Sequence, residues 1–318
     1  MNEIGIFLFS FLLAFLVCLL LLPSYIKKAK ATGITGLDIH KPSSPAIAEC
    51  GGVILILAYL MGLFAFIPFI NEALSLEIIG AAATVLFASF IGFVDDIYET
   101  RWRIKVLTPL LGSVPLIVMR LGRTTMWTPI GFVDFGVLFY FVILPFIVTA
   151  SANAVNMFAG LNGQEAGSST IIAAALLFLS IRLVKPLGSI ILLPFLGALM
   201  AFLLFNRYPS RVFPGDIGTF GMGTVIACVA VLADLERAVF IMFIPHTINA
   251  ILFFIGKLKG ETPPREALMN PDGTLPAPTI WSLRSLILRI HPMNEKTAIA
   301  IMLLIVALFA LAGTLVYG

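Results

Sequence analysis

Two adjacent carboxylates, Asp95 and Asp96, follow an apolar run that begins near Leu76. Three basic residues come within the next nine positions, and the last of them is Lys105. Neighbouring carboxylates repel each other unless a metal ion, a lysine or a shared proton lies between them. At a membrane surface such oxygen ligands suit Mg²⁺, which usually binds through one or two carboxylates and substrate phosphates. The alternative is a solvated acidic turn that ends a membrane helix.

A second polar segment, Asn153–Gly167, contains three Asn, three Gly and no basic residue. Asn and Gly tolerate positive φ angles and permit close approach of the backbone. Such a segment can present amide groups to a nucleotide base or sugar, and a carboxamide oxygen to a metal ion. The alternative is a tight turn between two helices, which the length of the segment and its three amides make the poorer interpretation.

A third polar segment, Asn206–Gly221, contains Phe213 and Asp216. A glycine precedes Asp216 and small residues follow it, so a ligand can reach the carboxylate. Phe213 offers an aromatic face to a base. An earlier connection, Pro23–Cys50, contains Asp38, His40, Lys41 and Glu49; His40 alone is more typical of a surface histidine than of a ligand.

The elements that must position these segments are membrane helices. The chain of 318 residues is 60% hydrophobic and 12% charged, with a mean hydropathy of +1.06, whereas a soluble domain is about half apolar and a quarter charged. This composition predicts an all-α polytopic membrane protein, with residues 1–318 as a single domain. The net charge of +3 gives no reason to expect nucleic acid as a partner. Three isolated cysteines indicate neither a disulfide framework nor a zinc site.

Each span needs roughly 20 mostly apolar residues. We expect ten: Ile4–Leu22, Gly51–Ile70, Leu76–Val94, Val106–Leu121, Val133–Ala152, Ala166–Leu183, Ser189–Phe205, Phe220–Ala233, Ala238–Gly256 and Thr297–Tyr317. Fifteen of the twenty Lys and Arg residues then fall on odd-to-even connections. By the positive-inside rule these connections are cytoplasmic and both termini lie outside. All three polar segments share the cytoplasmic face.

Two further connections have local patterns of their own. Gly122–Asp134 on the outer side predicts a small hairpin, with Trp127 as an interfacial anchor. The last inner connection, Lys257–Lys296, contains Ser282–Ile290, which has the pattern of an amphipathic helix lying in the membrane interface.

Three motifs occur in order on this one face: Asp95-Asp96 with Lys105, the run Asn156–Gly167, and Phe213-Pro-Gly-Asp216. Together they resemble the polyprenyl-phosphate N-acetylhexosamine-1-phosphate transferase superfamily, glycosyltransferase family 4. The likeness is strongest to the eukaryotic and archaeal branch that uses UDP-GlcNAc and dolichyl phosphate. It spans nearly the whole chain, including the ten-span topology.

The resemblance implies transfer of GlcNAc-1-phosphate from UDP-GlcNAc to a polyprenyl or dolichyl phosphate, with release of UMP. Mg²⁺, or Mn²⁺ as a substitute, would bind at the positions matching Asp216 and Asn156. The positions matching Asp95, Asp96 and Lys105 would lie at the acceptor phosphate and form the catalytic set. The reaction would face the cytoplasm, in a prokaryotic cell membrane or in the endoplasmic reticulum.

The donor is assigned by the same resemblance. Asn162, Gly160 and Phe213 match uracil-binding positions, and Glu49 matches a residue near the ribose. Arg265 is the one arginine where the eukaryotic branch has an Arg-His-Arg cluster that binds diphosphate and amino sugar, and the triple-histidine motif of the bacterial cell-wall branch is absent. The exact amino sugar is therefore less determined than the type of reaction.

Several alternatives stay open at the level of sequence. Asp95 could deprotonate the acceptor, orient it, or act as a nucleophile. A homodimer is as compatible with the sequence as a monomer. The rival class is a secondary transporter for a phosphorylated or nucleotide-linked solute, but transporters place ionisable residues near the bilayer midplane. Here nearly every acid lies at the end of a span or in a connection.

Overall fold

The computed structural model describes residues 3–41, 43–98, 100–128, 130–261, 269–270, 272–277 and 279–317. The structure is mostly helical, with 73% of the described residues in helices. The α-helices of the described residues are α1 (Glu3–Thr32), α2 (Gly52–Phe64), α3 (Glu72–Tyr98), α4 (Trp102–Leu107), α5 (Val114–Val118), α6 (Leu144–Phe158), α7 (Gln164–Arg182), α8 (Pro186–Asn206), α9 (Gly215–Leu232), α10 (Glu236–Met242), α11 (Ile244–Leu258), α12 (Leu283–Ile290) and α13 (Glu295–Leu315).

The predicted polytopic membrane protein is confirmed in its main feature. Within the described ranges, eight helical segments are long and apolar enough to cross a membrane. A ninth span results if α10 and α11, which are bent by 58° relative to each other, are counted as one. The count of ten, the side of the termini and the orientation stay predictions.

Proline explains where the observed helices depart from the predicted spans. The predicted span Val106–Leu121 consists of the end of α4, a 3₁₀ helix at Thr108–Ser113, and α5. Pro109 and Pro115 lie at the starts of the last two pieces, and a proline lacks the N–H that would continue the preceding α-helix. Pro245 likewise starts α11 at the bend. Pro23, by contrast, is accommodated inside α1, which continues to Thr32 rather than ending at Leu22.

Two small antiparallel hairpins correct the expectation of an all-α chain. Strands β3 (Thr125–Thr128) and β4 (Gly131–Asp134) form the hairpin that the sequence predicts. Strands β1 (Thr35–Leu37) and β2 (Ala46–Ala48) form a second, unpredicted hairpin. Beyond this hairpin's first strand, Asp38 contacts Asn162 and Lys41 contacts Glu295, near the starts of α7 and α13.

Helix α9 lies at the centre of the bundle. In the stretch of α9 that is long enough to cross a membrane, 83% of the residues are buried, whereas in the corresponding stretch of α1 the share is 22%. It packs against α3 and α6 most extensively. Gly92 of α3 permits this contact, because a Cβ atom there would lie 2.4 Å from the backbone oxygen of Asp216. The first turn of α9 is therefore held directly against the end of α3.

Candidate active site

The polar residues singled out in three separate segments meet at one end of the bundle, which we call the site end. Asp95 and Asp96 lie in the last turns of α3, and Lys105 lies in α4. Asn156 lies near the end of α6, and Asp216 lies in the first turn of α9. The predicted convergence of the motifs is thus observed in the fold.

Lys105 connects two of these acids. Its ammonium group lies 2.7 Å from Oδ2 of Asp95 and also donates to Oδ2 of Asp216. Burial alone would lower the pKa of Lys105, but Asp216 and Asp95 outweigh burial and raise that pKa above its usual value. The lysine therefore carries a fixed positive charge between the two carboxylates.

The adjacent acids Asp95 and Asp96 have different partners. Asp95 faces Lys105 and accepts the backbone N–H and the hydroxyl of Thr100. Asp96 accepts the backbone N–H of Asp216 at 2.7 Å and that of Ile217 at 3.1 Å. These N–H groups belong to the first turn of α9, which has no partners for them inside its own helix. Asp96 thus caps α9 from the neighbouring helix.

Asp216 and Asn156, the predicted metal ligands, are in direct contact. The side-chain amide of Asn156 donates to Oδ1 of Asp216 at 2.5 Å and to the hydroxyl of Thr219 at 2.8 Å. Among the described residues, no group of three or more His, Cys, Asp or Glu could hold a metal ion. One carboxylate and one carboxamide do fit Mg²⁺, because this ion usually takes few protein ligands and completes its shell with substrate phosphates and water.

A cavity of about 340 Å³ opens beside Asp216. This volume lies in the range of small-molecule sites. We call it the donor cavity, because it contains residues that the resemblance assigns to the sugar nucleotide. Its lining includes Glu49, Asn156, Gly160, Asn162, Phe213 and Asp216. All the described residues that the resemblance assigns to the nucleotide or the metal therefore line one cavity; Arg265 lies outside the described residues.

Asn162 is held by a polar network at the wall of this cavity. Its amide donates to Asp38 at 3.2 Å, its amide oxygen accepts the backbone N–H of Ser210 at 2.8 Å, and its own N–H donates to Glu295 at 3.1 Å. Lys41 joins Asp38, at 3.2 Å, to Glu295. An amide nitrogen carries two hydrogens, and the network leaves one of those on Asn162 for a ligand.

A second cavity, of about 440 Å³, adjoins the first. We call it the acceptor cavity, because Lys105, which the resemblance assigns to the acceptor phosphate, lines it. Both cavities are lined by Ile39, His40, Asn156 and Ala159. The acceptor cavity alone is lined by Lys105 and by the aromatic side chains Trp102, Phe253 and Trp281. Lys105 thus lies on the acceptor side while its partner Asp216 lies on the donor side.

Two residues at this site were missed by sequence reasoning. His40, predicted to be a surface residue, is only 8% exposed and lies 3.2 Å from Arg284. Arg284 was expected on an interfacial helix, and the helix α12 does form there, but its guanidinium reaches the wall between the two cavities. The amphipathic pattern of α12 gave no signal of this, because Arg284 and Arg289 look alike in sequence.

Comparison with known proteins agrees with this geometry. The sequence description of glycosyl transferase family 4 matches residues 78–234, a range that includes Asp95, Asn156 and Asp216. A Saccharolobus solfataricus protein, named as a candidate UDP-N-acetylglucosamine–dolichyl-phosphate N-acetylglucosaminephosphotransferase, is 32% identical over 80% of this chain and 79% of its own.

Two eukaryotic proteins carry the same name without that qualification. The Dictyostelium discoideum protein is 30% identical over 92% of this chain and 84% of its own. The Saccharomyces cerevisiae protein is 27% identical over 73% of this chain and 63% of its own. Identity at this level over most of both chains shows common descent, and this chain therefore belongs to glycosyl transferase family 4.

Proposed function

We propose that this membrane protein transfers N-acetylglucosamine-1-phosphate from UDP-N-acetylglucosamine to dolichyl or another polyprenyl phosphate and releases UMP. Relatives from archaea and eukaryotes bear the name of this activity. The observation that carries the proposal is the bridge that Lys105 makes between Asp95 and Asp216, where the donor and acceptor cavities meet.

The donor cavity suits a sugar nucleotide. Phe213 supplies an aromatic face, and stacking on such a face tolerates any base. Discrimination requires a polar group that reads the edge of the base, because a buried amide left unpaired by the wrong base is costly. Asn162, which is hydrogen-bonded to Asp38 and Ser210, would supply it.

The acceptor cavity suits a lipid phosphate. Its aromatic lining provides contacts for an isoprenoid chain, and the ammonium group of Lys105 provides a phosphate partner. The phosphate cannot enter hydrocarbon without a large desolvation cost, and the prenyl chain cannot leave it. The reaction must therefore occur at the interface, at the depth where α3 ends and α4 begins.

The chemistry is a displacement at phosphorus. An oxygen of the acceptor phosphate forms a bond to the β-phosphorus of the donor, and the bond from that phosphorus to the bridging oxygen of UMP breaks. Phosphoryl transfer needs alignment and charge neutralisation more than covalent help. The acceptor is already an oxyanion, so no general base is needed. Lys105 supplies fixed positive charge at the reacting phosphates, and Asp95 orients Lys105.

The contact between Asp216 and Asn156 fits Mg²⁺, with Mn²⁺ as a substitute. When bound, such an ion would neutralise the diphosphate and stabilise the UMP leaving group. Thr219 and Asp96 hold the two ligands in place: Thr219 accepts from Asn156, and Asp96 fixes the backbone at Asp216.

We further propose that the site end faces the cytoplasm. Fifteen of the twenty Lys and Arg residues fall on the connections assigned to that side, as the positive-inside rule requires. A soluble nucleotide sugar would then reach the donor cavity from the cytoplasm, while the acceptor stays in the membrane.

The test is UMP release by the purified protein in detergent. The protein is given UDP-N-acetylglucosamine, Mg²⁺ and polyprenyl phosphate, and we expect UMP only when the lipid is present. A carrier of phosphorylated or nucleotide-linked solutes would release none. Exchange of the sugar and of the prenyl chain in the same assay determines the preferred substrates, and no UMP with any pair would contradict the proposal.

A further inference from the structure

Arg284 of α12 reaches the site end with an unusual set of partners. Its Nη1 atom donates to the backbone oxygen of Gly160 at 3.0 Å and lies 3.2 Å from Nε2 of His40. In the part of the chain that the structure describes, no carboxylate lies within 4.0 Å of its guanidinium, although six such ion pairs form elsewhere. Its hydrogen-bond acceptors are thus neutral, and the carboxylate that acts on it electrostatically, Glu295, lies beyond ion-pair distance.

A partly buried cation without a counterion in direct contact is costly. Removing a charge from water is unfavourable unless an opposite charge or several hydrogen bonds replace the water. A guanidinium has five N–H donors, and the protein engages those of Nη1. Arg284 lines the acceptor cavity together with Lys105, so its remaining donors are available to a ligand there. Planar guanidinium groups match phosphate oxygens in shape and charge.

The contact with Gly160 shows where Arg284 lies relative to the donor cavity. Gly160 lines the donor cavity with a φ angle of +141°. A Cβ atom at this position would lie 3.0 Å from Nη1 of Arg284. His40, the other partner of the guanidinium, lines both cavities. Arg284 is therefore at the junction of the two cavities, on the wall that Gly160 and His40 form.

We propose that Arg284 binds the diphosphate of the sugar nucleotide, as a second fixed positive charge beside Lys105. The inference rests on the proposed function, since the diphosphate is that of the donor. Neutral His40 accepts from the guanidinium and sets its orientation, and the glycine at position 160 leaves room for it. Arg265 was the arginine expected in this role, and Arg284 would act whether or not Arg265 also contributes.

The chain offers a matched control on the same helix. Arg289 lies in the last turn of α12 and is exposed. Arg284→Gln and Arg289→Gln remove the same charge from the same helix, one at the cavity wall and one at the surface. Arg284→Lys keeps the charge but loses the planar guanidinium group. We therefore expect its affinity for UDP to lie between that of Arg284→Gln and that of the wild type.

The experiment measures dissociation constants for uridine, UDP and UDP-N-acetylglucosamine, together with KM for donor and acceptor. A hydrogen-bonded charge contact corresponds to about 10- to 100-fold in affinity. In Arg284→Gln we expect UDP and the sugar nucleotide to bind at least about tenfold more weakly, while uridine binding and acceptor KM stay within about twofold. Arg289→Gln should match the wild type in every measurement.

Three results would overturn the inference. Equal behaviour of Arg284→Gln and Arg289→Gln would remove Arg284 from the site. An increase in acceptor KM alone would assign Arg284 to the lipid phosphate. An equal loss of uridine and UDP binding would make it a structural residue of the Gly160 loop. Failure of the proposed function is distinguishable, because it would leave the wild-type protein without lipid-dependent UMP release while the uridine and UDP constants could still be compared.

Discussion

Asp96 accepts the backbone N–H of Asp216 at 2.7 Å, so a carboxylate at the end of α3 fixes the first turn of α9. Its neighbour Asp95 instead lies 2.7 Å from the ammonium group of Lys105. Adjacent residues of one motif therefore have separate tasks. Asp96 positions the helix that carries the candidate metal ligand, and Asp95 contacts a cation that lines the acceptor cavity.

Because Asp95 and Asp96 have separate tasks, we expect them to respond differently when their charge is removed. Asp96 accepts one backbone N–H on each of its two oxygens, and in Asp96→Asn one oxygen remains to accept from α9, whereas Asp96→Ala leaves none. We expect Asp96→Asn to retain more activity and a higher thermal midpoint than Asp96→Ala, which should lose about 0.5–2 kcal/mol of stability. Asp95→Asn should lose most turnover, because Lys105 loses a counter-charge.

The measurements are turnover, UDP-N-acetylglucosamine binding and thermal midpoint for all three variants. Near-normal turnover in Asp95→Asn would contradict the assignment of Asp95, as would a loss of donor binding in proportion to turnover. Equal damage from Asp96→Asn and Asp96→Ala would show that Asp96 acts through its charge rather than as a cap.

The sequence was sufficient to predict that the three polar motifs lie together at one end of the bundle. Polar residues such as Asp95, Asn156 and Asp216 are costly inside a membrane, so they had to lie in connections between apolar runs. Alternate connections lie on the same side, which placed the three motifs on one face. The type of chemistry followed because carboxylate and carboxamide oxygens beside a lysine are suited to phosphate and Mg²⁺.

Features that depend on tertiary packing were not predictable. The breaks at Pro109 and Pro245 divide apolar runs that hydropathy alone treats as continuous, whereas helix α1 continues through Pro23. The roles of Asp96 and Arg284 depend on which helix end or loop lies opposite, and single-sequence patterns do not contain that information. Arg284 and Arg289 share an amphipathic helix, but only one of them faces a cavity.

Activity should require a divalent cation bound through Asp216. Asp216→Asn removes the only anionic ligand in the proposed metal pair, and we expect it to lower turnover to near background. Excess EDTA should do the same to the wild-type protein, and added Mg²⁺ or Mn²⁺ should restore it. Lipid-dependent UMP release measures both effects, and full turnover of the wild type in excess EDTA would contradict the metal assignment.

Nucleotide binding should depend on the aromatic face of Phe213. Phe213→Ala removes that face, and base stacking on an aromatic side chain contributes about 1–3 kcal/mol. We expect UMP binding to weaken at least about fivefold, while Phe213→Tyr, which keeps the ring, stays close to the wild type. Titration calorimetry with UMP measures this. An equal effect of the two substitutions would indicate that Phe213 packs within the loop rather than against the base.

Stability should fall in acid through His40, whose pKa is lowered to about 4, first by burial and then by the charge of Arg284. Lys41 lowers this pKa further, and Asp38 opposes the decrease. The unfolded chain binds the proton near pH 6.5 and the folded chain only near pH 4, so the contribution of His40 is complete above pH 6.5 and is lost as pH falls toward 4. A shift of this size corresponds to roughly 3 kcal/mol.

His40→Gln keeps an acceptor for Arg284 but does not titrate, so its thermal midpoint should fall less than that of the wild type between pH 7 and about pH 4.5. An equal fall in both proteins would show that His40 is already protonated, or exposed, in the folded state.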